Sequence, residues 1–246
     1  PRKILYVLSP ELEALYDATL NELDGGLTYN RYRAVGHLVP EKRRNYANAE
    51  RISSQLARIM KTLLLKRIDS SFFAFTRSLR RFRDATRAMV TMFENGTVYI
   101  APNLNVSEYI IEGREEELAE LLVSLQEEDP TIEICAPDDF DAGFRAGLEK
   151  DAAILDELVE QWSAVDEDPK FDAFLEHLER DFLSPEFNHE AATRESPKLV
   201  IFSESRETTD YLVEKLAAHA HDRVLAIDSG TRKDRMPRVR ANFDAN

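Results

Sequence analysis

The sequence predicts a mainly α protein with an incomplete α/β part, in which a helical bundle is followed by a parallel βαβα unit. Apolar residues recur every three or four positions through most of the first two-thirds of the chain. After position 196, short apolar runs alternate with helical stretches instead. The 246 residues include 8 Gly, 10 Pro and 43% hydrophobic residues, which is enough to bury one large core or two ordinary ones and too few turn-formers for a loop-dominated protein.

A strand-like start from Lys3 to Leu8 precedes Ser9-Pro10-Glu11, a helix cap with proline at the first helical position. Leu12, Leu15, Leu20 and Leu23 follow at roughly helical spacing until Asp24-Gly25-Gly26. Leu27 to Asn45 is polar and without period, so irregular structure is expected there. From Asn48, Ile52, Leu56, Ile59, Leu63 and Leu64 form one stripe, and Phe72, Phe75, Leu79, Phe82, Met89, Val90 and Phe93 a second. These read as two packed helices. Asn95-Gly96 makes a turn before the strand candidate Val98-Tyr99-Ile100. Residues 114–128 form an acidic amphipathic helix that stops before Pro130, and Ile132-Glu133-Ile134 is at most a short strand. Asp138-Asp139-Phe140-Asp141 caps a long helix through Phe144, Leu148, Leu155 and Trp162, and Asp168-Pro169 caps another through Phe171, Phe174 and Phe182.

Lys198 to Phe202 suits a buried parallel strand, Arg206 to Ala217 a helix, Arg223 to Ile227 a second strand and Thr231 to Phe243 a second helix. Two parallel strands do not make a stable doubly wound sheet, so the sheet is expected to be cut short at Asn246. The missing initiator Met also suggests a fragment or a processed chain.

The net charge of -14 is unevenly spread. Residues 1–99 hold 17 Lys+Arg against 10 Asp+Glu, residues 100–195 hold 6 against 28, and residues 196–246 hold 9 against 8. The first third suits a polyanion and the middle third repels one, because phosphate binding follows the local field of one face rather than the total. A basic protein partner suits the acidic middle.

The chemistry search is mostly negative. No glycine is followed by Lys and there is no Gly-x-Gly-x-x-Gly, so no nucleotide cradle is encoded. Asp166-Glu167 reads as a turn between helices rather than a magnesium pair. His219 and His221 fall nearly opposite each other on a helix, and His37, His177 and His189 have no nearby Cys or His, so no metal site is expected. Ser203-Glu204-Ser205 lacks the glycines of a nucleophile elbow, and Cys135, the single cysteine, reads as a small buried residue. No apolar run approaches the roughly 20 residues of a bilayer span, and the N-terminal apolar segment is too short for a secretory signal. The expectation is a cytoplasmic chain with no membrane contact, no catalytic residue and no cofactor of its own.

One helix combines packing with cation display. At about 100° per residue, Phe75, Leu79, Phe82 and Phe93 share a face of the 72–93 segment, and Arg77, Arg80, Arg81 and Arg87 an adjoining one. That face fits either phosphate contacts or pairing with the acidic middle region.

The last segment carries a resemblance. Lys198-Leu199-Val200-Ile201-Phe202-Ser203-Glu204-Ser205-Arg206 and on to Leu212 resembles helicase motif IV, which opens the second RecA-like lobe of superfamily-two helicases. Arg223 to Thr231, then Arg235 and Phe243-Asp244-Ala245-Asn246, is similar to the next strand, glycine turn and helix. Lys3 to Asp17 is similar to the segment after motif III in Swi/Snf-type ATPases, and Met60 to Phe75 to the helical signature of their bacterial helicase-like relatives.

The resemblance implies a fragment of such a motor. Residues 1–26 would be the end of the first lobe or a linker, 27–195 a helical insertion, and 196–246 the truncated start of the second RecA-like lobe. The parent would hydrolyse ATP with Mg2+ to move along double-stranded DNA. This chain lacks the P-loop, the magnesium motif and the arginine-finger region, so it is expected to be inactive alone. Carried over by position, Ser203, Ser205 and Arg206 fall at the motif IV edge of the sheet, and Ser229, Gly230 and Thr231 at a strand-to-helix turn, all facing the DNA backbone. A helix N-terminus with hydroxyls and a glycine is chemically suited to phosphate.

Overall fold

Residues 3–46, 49–100, 133–182, 184, 198–203, 205–220, 223–228 and 230–243 are described by the computed structural model. They are mostly helical, with one two-stranded antiparallel sheet among them. The expected acidic helix at 114–128, together with Ser229, lies outside the described residues. The chain divides into two units, 1–173 and 174–246.

In the first unit, Ser9 caps α1 (Pro10–Asn21), its Oγ accepting from the Leu12 N–H at 3.2 Å. A π-turn over Glu22–Gly26 ends this helix and buries Leu23 fully. The stretch expected to be irregular is ordered. It holds a 3-10 helix over Asn30–His37, entered through Tyr29 in the left-handed region at φ 56°, and a short α2 (Pro40–Arg43). Tyr29 is not glycine, so this backbone is retained at a cost that tertiary contacts must offset. Its ring stacks on Phe82 at 5.8 Å and its hydroxyl donates to the Leu23 carbonyl at 2.8 Å.

The two apolar stripes form α3 (Ala49–Ser70) and α4 (Phe72–Glu94). They are separated only by Ser71, whose extended backbone breaks the helix and whose Oγ caps the next one by accepting from Ala74 N–H. After Gly96, which takes a φ of +77° that favours glycine, β1 (Val98–Ile100) pairs antiparallel with β2 (Glu133–Cys135), Val98 opposite Cys135 and Ile100 opposite Glu133. Asp141 then caps α5 (Ala142–Ser163) by accepting from Gly143 and Phe144. α5 runs antiparallel to α4: Phe75 meets Trp162 at 5.2 Å at one end, Arg87 meets Asp156 midway, and Phe93 meets Phe144 at 5.5 Å at the other.

The apolar side chains gather into two clusters. One joins Leu12 and Leu23 with Leu64, Phe75, Phe82 and Trp162, so α1 shares a core with α3, α4 and α5. The other surrounds Phe93, Val98, Phe140, Phe144 and Leu148. Polar links pass through the first: the Trp162 indole N–H donates to Thr19 Oγ1 at 2.8 Å, and both side chains are almost fully buried. Asp168 caps α6 (Pro169–His177), accepting from Phe171 N–H at 3.0 Å.

In the second unit a π-turn at Leu178–Phe182 extends α6, and two further helices follow, α7 (Arg206–Ala220) and α8 (Arg232–Phe243). Both were expected. The parallel strands before them are not observed as strands: the described residues of 198–203 and 223–228 belong to no sheet, and Val200, Ile201 and Phe202 are 55%, 43% and 92% exposed. Parallel strands need neighbours on both sides and a covering layer on both faces, and the described residues supply neither. α8 has no buried residue and contains Pro237, which removes one helical hydrogen bond.

Candidate nucleic-acid interface

The two resemblance-derived groups fall at the starts of α7 and α8. Ser205 caps α7: its carbonyl accepts from Thr209 N–H at 3.1 Å and its Oγ from Thr208 N–H at 3.4 Å. It is 4% exposed, so its hydroxyl already serves the helix. Ser203 turns back on the same loop, its Oγ accepting from Ser205 N–H at 3.2 Å and donating to the Ser205 carbonyl at 3.1 Å. Ser203 and Arg206 are both exposed, and the Arg206 Nε lies 3.7 Å from Asp228 Oδ2.

Asp228 organises the second group. Its Oδ1 accepts from Thr231 N–H at 2.7 Å and from Thr231 Oγ1 at 2.9 Å. Those bonds to Thr231 hold the Asp228 carboxyl below its ordinary range, with the nearby Arg206 adding to the effect. A carboxylate therefore occupies the positive end of the α8 dipole, the position a phosphate oxygen would take. The structure thus brings Arg206, Asp228 and Thr231 together, with Gly230 exposed beside them. Asp228 was not anticipated as the link, although an Asp three residues before Thr231 is an N-cap spacing that could have found it.

The arginines of α4 do not act as one face. Arg87 forms a two-pronged ion pair with Asp156 of α5, which keeps the guanidinium firmly protonated. Arg80 donates to Ser163 Oγ at 2.8 Å. Arg81 is half-buried and engaged, whereas Arg77 is exposed with no described partner. Two of the four are thus turned toward α5, which follows from their place on the wheel beside the packing face.

A second cationic row, on α3, was not anticipated. Arg51, Arg58 and Lys66 are exposed on one side, with Thr62 between the last two. Their seven- and eight-residue spacing, opposite Leu56 and Leu64, is the signal that could have found them. Among the described residues no group of three His, Cys, Asp or Glu could hold a metal ion, and no helix is long and apolar enough to cross a membrane. No protein-family model, curated protein or solved structure matches this chain.

Proposed function

We propose that this chain is a non-catalytic part of a Swi/Snf-like, superfamily-two ATP-dependent DNA helicase or translocase acting in the cytoplasm. Residues 196–246 would open its second RecA-like lobe and contact the backbone of double-stranded DNA, while ATP and Mg2+ are handled by the rest of the motor. The observation that carries this reading is the repeated order in the second unit: an apolar run, a hydroxyl residue at the helix start (Ser205, then Thr231) and a helix, twice, with Arg206 and Thr231 meeting at Asp228. A motor that moves over any sequence needs contacts to phosphates, which look alike at every step.

The test is binding of the chain to two unrelated DNA duplexes across a salt series, with ATP turnover measured alongside. The reading expects similar affinities, a steep salt dependence and no turnover. DNA-stimulated turnover abolished by a mutation in this chain would refute the non-catalytic assignment, and strongly sequence-selective binding would contradict the translocase. A second reading, a non-enzymatic acidic interaction module that binds a basic protein, is favoured by the Arg87–Asp156 pair, which uses an α4 cation internally. It expects binding to a basic polypeptide and no salt-dependent binding to DNA.

A further inference from the structure

Between Glu50 and Asp69, α3 carries no acidic residue, while Arg51, Arg58, Lys61, Lys66 and Arg67 all fall within that stretch. Two of these cations serve the fold. Lys61 pairs with Asp24, and Arg67 donates to the Ser78 hydroxyl of α4. Arg51, Arg58 and Lys66 are exposed, and their side chains form no hydrogen bond or ion pair among the described residues. At about 100° per residue they lie within about 80° of one another together with Thr62, on the side opposite the buried Leu56, Met60 and Leu64. Exposed Ser54 borders the row. Asp69, at the end of this face, already accepts the Tyr16 hydroxyl.

The helical rise places Arg51 about 10.5 Å from Arg58, and Arg58 about 12 Å from Lys66, along the axis. A single small anion sits at one of these cations, whereas a chain of regularly spaced anions meets all three. The rest of the face selects among such chains and surfaces. A protein interface has an apolar or aromatic centre, but Ile59 and Leu65, which flank the row, pack against the core. A membrane-surface helix buries its apolar face in lipid, and that of α3 is turned into the protein. Single-stranded nucleic acid is held by stacking on aromatic rings, and Ala49–Ser70 contains none. What remains on this face is arginine, lysine and hydroxyls, the donors that contact a duplex backbone without reading its bases. The Arg58 to Lys66 gap also matches the width of the major groove, about 12 Å, so the two reach phosphates on its opposite walls.

We propose that the outward face of α3, through Arg51, Arg58 and Lys66, is a phosphate-contact surface for double-stranded DNA in the first unit. It rests on the DNA-motor reading for the nature of the partner, but places a contact outside residues 196–246.

The experiment is binding of the full chain to a short mixed-sequence duplex across a potassium chloride series. Arg58→Gln should lower the salt slope by about 0.9, and the triple variant Arg51→Gln, Arg58→Gln, Lys66→Gln by about 2.7. Arg58→Lys keeps the charge and should retain the slope. Lys150→Gln removes the same charge from an exposed position on α5 and should leave the slope unchanged. All these side chains are exposed, so melting temperatures should stay close to that of the wild type. A slope that is equal in the wild type and the triple variant, while Arg206→Gln lowers it, overturns the α3 surface and leaves the DNA-motor reading standing. The α3 surface is also overturned by equal losses in Arg58→Gln and Lys150→Gln, by a single strand that needs the row as much as the duplex does, or by polyglutamate that binds through the row when the duplex does not. A wild type without any salt-dependent duplex binding would sink both readings.

Discussion

The Asp151 carboxylate on α5 accepts the backbone N–H of Asn30 at 3.0 Å, across 121 residues of sequence. It also accepts from the Thr28 N–H at 2.6 Å and the Thr28 hydroxyl at 2.9 Å. A fully buried carboxylate thereby caps the 3-10 helix from outside, and Asn30 returns the contact by donating to the carbonyls of Gly143 and Phe144. Replacing it with alanine leaves three donors without an acceptor. Asp151→Ala should therefore cost about 3 kcal/mol or more in urea unfolding, and a loss below about 1 kcal/mol would mean that the cap is not formed.

The same residue sets a pH dependence. Burial raises the Asp151 carboxyl above its ordinary value, opposed by its hydrogen bonds to Thr28 and Asn30. A raised folded value means the native state holds the proton more tightly than the unfolded chain. That contribution is present below the unfolded pKa of about 4 and is lost as pH rises through the folded value. The stability of wild type minus that of Asp151→Asn should fall as pH rises across this window, and a difference that grows instead would contradict the burial argument.

Gly147 faces Asn30 so closely that an added Cβ would lie 1.9 Å from Asn30 Nδ2. That amide is held by two carbonyls and cannot swing aside freely. Gly147→Ala should destabilise by about 1–3 kcal/mol despite the better helix propensity of alanine. Gly25→Ala, with nothing within 4 Å, serves as the comparison, and equal melting temperatures for the two would remove the close approach.

Cys135 is 2% exposed at the end of β2, where burial and then Glu133 push its thiol up to about 11. The native chain should be alkylated slowly at pH 8, and the rate should rise with urea in step with unfolding. Rapid labelling without denaturant would show that β1 and β2 open locally.

In the DNA-contact reading, the Asp228 carboxylate competes with phosphate for the start of α8. Asp228→Asn keeps a good N-cap residue and removes the charge, so duplex affinity should rise by about threefold at low salt, and the gain should vanish at high salt. An affinity that falls would make Asp228 a structural requirement of the interface.

On α4, Arg77→Gln should lower the salt slope of duplex binding by about 0.9, the value of one phosphate contact. Arg87→Gln should lower it less, since Asp156 already neutralises that cation. Equal slopes for wild type and Arg77→Gln, with intact folding, would remove Arg77 from the interface.

What the sequence determined by itself is what local physics decides. The starts of α1, α4, α5 and α6 follow from Ser9, Ser71, Asp141 and Asp168, whose side-chain oxygens lie within three residues of the N–H groups they satisfy, and the apolar stripes reveal which face of each helix is buried. The placement of Ser205 and Thr231 at helix starts was readable for the same reason. Only the tertiary structure decided the rest. The polar stretch from Leu27 to Asn45 has no period because Thr28 and Asn30 are held by Asp151 rather than by their own neighbours. Arg206 and Asp228 are 22 residues apart in sequence, and the carboxylate that joins them occupies the helix end that looked open to phosphate. The runs at 198–202 and 223–227 have strand-like composition, but a strand is completed by hydrogen bonds to a neighbour, which composition does not supply.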